Sequence, residues 1–81
     1  MARVAIVTGG TRGIGAEVSK GLHAAGYDVI ANFNRNVEGA RRFNEETGIP
    51  VKAWDVSDFA ACEAALREIT DEHGPVDILI N

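Results

Sequence analysis

The chain has 81 residues, 46% apolar and 25% charged, with a net charge of -4 and one cysteine, Cys62. A lone cysteine excludes an internal disulfide framework and suits a reducing compartment, the cytosol, and no apolar run is long enough for a signal-peptide core or a membrane span. Residues 1–42 carry six basic and three acidic side chains and residues 43–81 carry two and nine, with no basic cluster interleaved with aromatics, which argues against nucleic-acid binding but leaves room for one local anion site near the N-terminus.

Residues 3–8 are a nearly continuous apolar run rich in β-branched side chains and closed by Gly9 and Gly10, as expected of a strand buried on both faces of a parallel sheet. Ile14, Val18, Leu22 and Ala25 then recur at helical spacing, and Gly26 stands where a left-handed C-terminal residue is often needed. Asp28–Phe33 reads as a second short apolar strand. Asn36 is a good N-cap for a second helix, which runs to Thr47 with Ala40 and Phe43 on one side and Gly48 as its stop. Residues 50–54 read as a third strand. Ser57 or Asp58 caps a third helix with an apolar stripe of Phe59, Cys62, Leu66 and Ile69, ended by Gly74 and Pro75. Val76–Ile80 is the last element, a fourth strand.

This alternation at short spacing predicts βαβ units with right-handed crossovers in a parallel sheet, an α/β fold in one unit without repeats or linkers. A parallel strand needs cover on both faces, and nothing after Val76–Ile80 supplies it. The chain is therefore expected to be the N-terminal portion of a longer domain, marginal or unfolded alone.

Residues 8–15 read TGGTRGIG, directly after a strand and directly before a helix, the setting a phosphate-binding turn requires. Glycine lets the chain reverse tightly, approach a diphosphate without a Cβ in the way and pack the helix start against the strand; Gly9, Gly13 and Gly15 can meet these demands. Gly9, Gly10, Thr11, Arg12, Gly13, Ile14 and Gly15 are thus candidate contacts to a dinucleotide, with the helix N-terminus directed at the anion. A nucleoside-triphosphate loop is excluded, because Ala16 and Glu17 stand where a lysine and a hydroxyl would be needed.

A dinucleotide site distinguishes NAD from NADP at the end of the second strand, by an acidic side chain for the ribose hydroxyl or a basic one for the 2′-phosphate. That end reads Asn32, Phe33, Asn34, Arg35, Asn36, with no carboxylate. Arg35 and Arg12 could converge on one phosphate, which favours NADPH. His23 and His73 read as surface or capping residues, Cys62 as core and Trp54 as packing on the sheet. No His or Cys pair has the spacing of a metal site.

TGGTRGIG, DVSD at residues 55–58 and DILIN at residues 77–81 resemble the successive landmarks of the short-chain dehydrogenase/reductase family, over the whole chain. The resemblance implies a Rossmann-type doubly wound sheet of strand order 3-2-1-4-5-6-7, of which strands one to four would be present. It also implies a catalytic Ser and a Tyr-x-x-x-Lys pair beyond Asn81, so no catalytic residue is assigned here. By the same resemblance Asp55 accepts from the adenine amino group, Val56 lines the adenine ring, Asn34 touches the adenosine ribose or its phosphate, and Asn81 holds neighbouring backbone. Within the family the wording is most similar to NADPH-dependent reductases of 3-oxoacyl thioesters. The implied substrate is a small-molecule coenzyme A thioester on the route to polyhydroxybutyrate, or alternatively an acyl-carrier-protein thioester of fatty-acid synthesis, and the implied assembly is a homotetramer. A non-catalytic nucleotide-binding module or sensor is the reading from a different class.

Overall fold

The computed structural model describes residues 2–81. Successive side chains of a strand leave opposite faces of its sheet, and in Val4–Val7 (β1) and the adjoining Asp28–Phe33 (β2) both faces are apolar except at Asp28 and Asn32. Ala5, Val7, Val29 and Ala31 form one face, packed with Ala16, Phe43 and Ile49. Val4, Ile6 and Ile30 form the other, packed with Ile69.

Two helices, Gly13–Ala24 (α1) and Val37–Thr47 (α2), supply the first layer, and Phe59–His73 (α3) supplies the second. With Val51–Ala53 (β3) and Val76–Ile80 (β4), the strands make a parallel sheet in the order β3-β2-β1-β4. The chain steps outward from β1 to β3, then returns across β1 to place β4 on its far side. That reversal opens a crevice at the carboxyl ends of the strands, where ligands bind in open α/β sheets. The expected α/β architecture and strand order are therefore present.

Local signals set the element ends. The Asn36 side chain accepts the Gly39 N–H at 2.9 Å, and the Asp58 side chain accepts the Ala61 N–H at 3.1 Å, so Asp58, not Ser57, is the cap of α3. Asn36→Ala is expected to cost about 0.5 to 2 kcal/mol, read as a lower urea midpoint for the folded protein. The strand expected over residues 50–54 is shorter, Val51–Ala53, although the Pro50 carbonyl still accepts the Ala31 N–H and the Trp54 N–H donates to the Phe33 carbonyl at its two ends. At the other edge the register of β4 slips between Val4 and Ala5, and the displaced Asp77 accepts the Val4 N–H with its carboxylate at 2.9 Å.

Two apolar stripes read from helical spacing are corrected. In α1 the buried positions are Ala16 and Ser19, with Val18 and Leu22 partly buried, while Ile14 is 85% exposed. The first turn of α1 is pressed through Gly15 onto the backbone of the preceding loop, and Ile14 belongs to neither buried cluster. In α3 only Ala65 and Ile69 are buried, and Phe59 and Leu66 are exposed. Ile69 is the α3 side chain that joins Val4, Ile6 and Ile30, and Phe59 and Leu66 stand outside that cluster. His73 carries a contact that spacing did not predict: its Nδ1 lies 3.0 Å from Asp28 Oδ2, joining the end of α3 to the start of β2. No helix among the described residues is long and apolar enough to cross a membrane.

Candidate functional site

The loop after β1 turns through Gly9, at φ +61°, and Gly13, at φ +57°, a region open to glycine at little cost. Arg12, between them, is extended and caps α1 without a side-chain bond. Gly15 is required for a different reason. A Cβ there would lie 2.1 Å from the carbonyl oxygen of Gly9, so the first turn of α1 is pressed against the loop's own backbone.

Two buried polar side chains hold this loop, and neither was assigned a role from the sequence. Ser19, fully buried on α1, donates its hydroxyl to the Gly10 carbonyl at 3.0 Å. Asn32, 3% exposed on β2, accepts the Gly9 N–H through Oδ1 at 3.1 Å, and its main-chain carbonyl accepts the Gly10 N–H at 3.0 Å. A polar residue inside an otherwise apolar strand was the available signal, since buried polar groups are retained where they are hydrogen-bonded. The N–H groups of Thr11, Arg12, Gly13, Ile14 and Gly15 make no such bond among the described residues. They are the open donors at the start of a helix whose dipole favours an anion.

Beside the loop is a groove of about 500 Å³. Gly9, Thr11, Arg12, Asn34, Arg35 and Val56 line it, together with parts of the β2 end. Six of the eleven candidate residues therefore share one surface. Gly10 is buried beneath it, Gly13 and Ile14 are exposed at the start of α1, and Gly15 is packed against Gly9.

The charges in this groove are available. Arg41 is engaged by Glu38 and Glu45, and Lys20 by Glu17. Arg12 and Arg35 are exposed and make no ion pair among the described residues.

Asp55 is fully exposed and turned toward its own chain: Oδ1 accepts the Ser57 hydroxyl at 2.7 Å and the Ser57 N–H at 2.9 Å. These bonds hold its carboxyl below the usual carboxylate range, with a smaller contribution from the Arg35 charge. Asp55 is thus ionised and close enough to Arg35 to feel it. Cys62 is half-buried, and its thiol lies 3.3 Å from the Val56 carbonyl, supporting the turn from below. At the end of β4, the Thr8 hydroxyl donates to the Ile80 carbonyl at 3.2 Å and lies 3.4 Å from Asn81 Oδ1.

The arrangement brings open backbone donors at a helix start, two guanidinium groups that make no ion pair among the described residues, and the turn at Asp55 and Val56 around one groove. A profile described as short chain dehydrogenase matches residues 3–81. An acetoacetyl-CoA reductase of Paracoccus denitrificans is 52% identical over 81 residues, all of this chain and 34% of that protein. The chain thus spans about a third of the length of that curated relative. A solved structure from Bacillus thuringiensis superposes on the whole chain with a TM-score of 0.93 at 26% identity, covering 36% of that chain. An actinorhodin polyketide ketoreductase solved with NADPH superposes with a TM-score of 0.86 at 34% identity, over 96% of this chain and 31% of the other.

Proposed function

The chain belongs to the short chain dehydrogenase family of oxidoreductases, and on that premise we propose that it forms the cofactor-binding front part of an NADPH-dependent reductase of 3-oxoacyl thioesters. The proposed reaction converts acetoacetyl-CoA to (3R)-3-hydroxybutanoyl-CoA for polyhydroxybutyrate synthesis, in a cytosolic homotetramer. The acetoacetyl-CoA reductase at 52% identity supports the substrate. The ketoreductase solved with NADPH supports the cofactor.

The observation that carries the cofactor choice lies in this chain: Arg12 and Arg35 line one groove at a strand end that has no carboxylate. An anion-hungry groove suits a 2′-phosphate, whereas a free ribose hydroxyl would be met by an acidic side chain. The open N–H groups of Thr11 to Gly15 would hold the diphosphate, Asn34 the adenosine ribose, and Val56 with Asp55 the adenine. When bound, NADPH supplies the hydride for the 3-keto carbon. The residues here bind and orient it. Catalytic residues are proposed to lie beyond Asn81, so the isolated 81-residue chain would be inactive.

The test is turnover by the full-length protein with acetoacetyl-CoA, followed as NADPH oxidation beside NADH. Faster turnover with NADPH and a (3R)-hydroxyacyl product are expected. A preference for acyl-carrier-protein thioesters would move the reading to fatty-acid synthesis. Binding of NADPH without turnover of any 3-oxoacyl thioester would overturn the reductase and favour a nucleotide-binding sensor.

A further inference from the structure

Asn32 sits where a buried parallel strand would ordinarily carry an apolar side chain, since asparagine is depleted in strands. Both halves of its amide are committed. Oδ1 accepts the Gly9 N–H at 3.1 Å, Nδ2 donates to the Trp54 carbonyl at 3.0 Å, and the main-chain carbonyl accepts from Gly10 at 3.0 Å. Gly9 and Trp54 lie 23 and 22 residues away along the chain. One residue therefore ties the loop after β1 to the end of β3, immediately before Asp55 and Val56.

We infer that Asn32 is a positioning residue for the nicotinamide dinucleotide, holding the diphosphate-binding loop and the adenine-binding turn at one fixed separation. This deepens the cofactor reading above and rests on it. The reason is directional chemistry. The loop presents a donor and the turn presents an acceptor, so the residue between them must accept on one side and donate on the other. A carboxylamide does both, a carboxylate only accepts, and leucine does neither. With the bridge intact, the two subsites exist before the ligand arrives. Without it, their ordering is charged against binding.

Asn32 also removes Gly9 and Gly10 from the pool of phosphate donors, because their N–H groups are already used. Ser19 fixes the Gly10 carbonyl from the opposite side. The loop is thus braced from below by two side chains that need not touch the ligand.

The experiment uses the full-length protein with Asn32→Leu, which keeps the branching of the side chain at Cγ, removes both side-chain bonds and adds no charge. NADPH and NADH dissociation constants are measured by fluorescence titration, beside kcat, the KM for the thioester and the melting temperature. Losing a buried hydrogen-bond partner corresponds to a rise of about tenfold to hundredfold in Kd. The expected rise is the same factor for NADPH and NADH, because the bridge serves the parts they share. At saturating cofactor, kcat stays within about twofold and the thioester KM is unchanged.

Should Asn32→Leu not fold, Asn32→Ser, which retains a donor and an acceptor on a shorter side chain, carries the measurement, with the same equal loss of both cofactors in smaller measure. A residue that only stabilises the fold would lower the melting temperature with both dissociation constants intact. That result, or a loss confined to NADPH, overturns the inference. If the unaltered protein binds neither cofactor, the cofactor reading fails and this inference falls with it. If it binds them and the variants bind equally well, only the inference fails.

Discussion

Gly15→Ala should weaken NADPH binding by the full-length protein by roughly a hundredfold, the upper end of what overpacking a close contact costs. The added methyl would meet the Gly9 carbonyl oxygen at 2.1 Å, its carbon at 2.8 Å and the Gly10 Cα at 3.1 Å. All three are main-chain atoms, and none can swing aside as the end of a long side chain would. The loop cannot retreat either, because Asn32 holds Gly9 and Gly10 from β2 while Ser19 holds Gly10 from α1. The strain is therefore relieved only by moving the first turn of α1, the segment that offers the open donors. Gly21→Ala is the control. It lies in the same helix with nothing within 4 Å of a new Cβ, so it should leave binding unchanged and stabilise the helix by about 0.5 to 1 kcal/mol. Equal cofactor titrations for the two variants, both folded by circular dichroism, would remove the loop from the site.

Arg35→Asp should reverse the cofactor preference. A charge-assisted hydrogen bond contributes about 1.5 to 3 kcal/mol, so its loss should raise the KM for NADPH about tenfold to hundredfold. The new carboxylate repels the 2′-phosphate and offers an acceptor to the free hydroxyl of NADH, so the KM for NADH should hold or fall. Because Arg35 is exposed, the NADPH preference of the unaltered protein should also shrink as ionic strength rises. The substitution has a local consequence at Asp55, whose carboxyl Arg35 helps to hold low. That contribution disappears, while the two bonds from Ser57 keep the carboxyl below its ordinary value. An unchanged ratio of the two KM values would show that neither the charge nor its position reads the phosphate.

The two substitutions and the Asn32 variants probe three roles within one groove. Arg35 should affect NADPH and NADH in opposite directions, Asn32 should weaken both equally, and Gly15 should weaken both by distorting the donors themselves. A single affinity for NADPH could not tell these apart. The ratio between cofactors sets Arg35 apart from the other two.

Much of this protein was legible in its 81 letters because the relevant interactions are short. Asn36 bonds an N–H three residues on, as does Asp58, and Gly26 and Gly48 take the positive φ that ends a helix within the same turn. Hydrophobic period and these caps determined the order of strands and helices, and the TGGTRGIG segment announced the glycine turn that joins β1 to α1. The end of β2 likewise displayed its arginine and its missing carboxylate in consecutive positions.

What lay beyond reach was decided by neighbours distant in sequence. Periodicity assigns a side chain to one face of a helix but does not say which turns of that face meet the sheet, so Phe59 and Ile14 were expected in the core and are exposed, while Ile69 and Ala16 are buried. Nor does a strand state its partners: β4 pairs with β1 across more than seventy residues, and the pairing brings Asp77 to the Val4 N–H. Asn32 is the sharpest case, an unremarked polar residue until the fold places a donor on one side of its amide and an acceptor on the other. Local backbone chemistry is written within one helical turn of each residue, whereas complementarity between segments exists only after the chain has closed on itself.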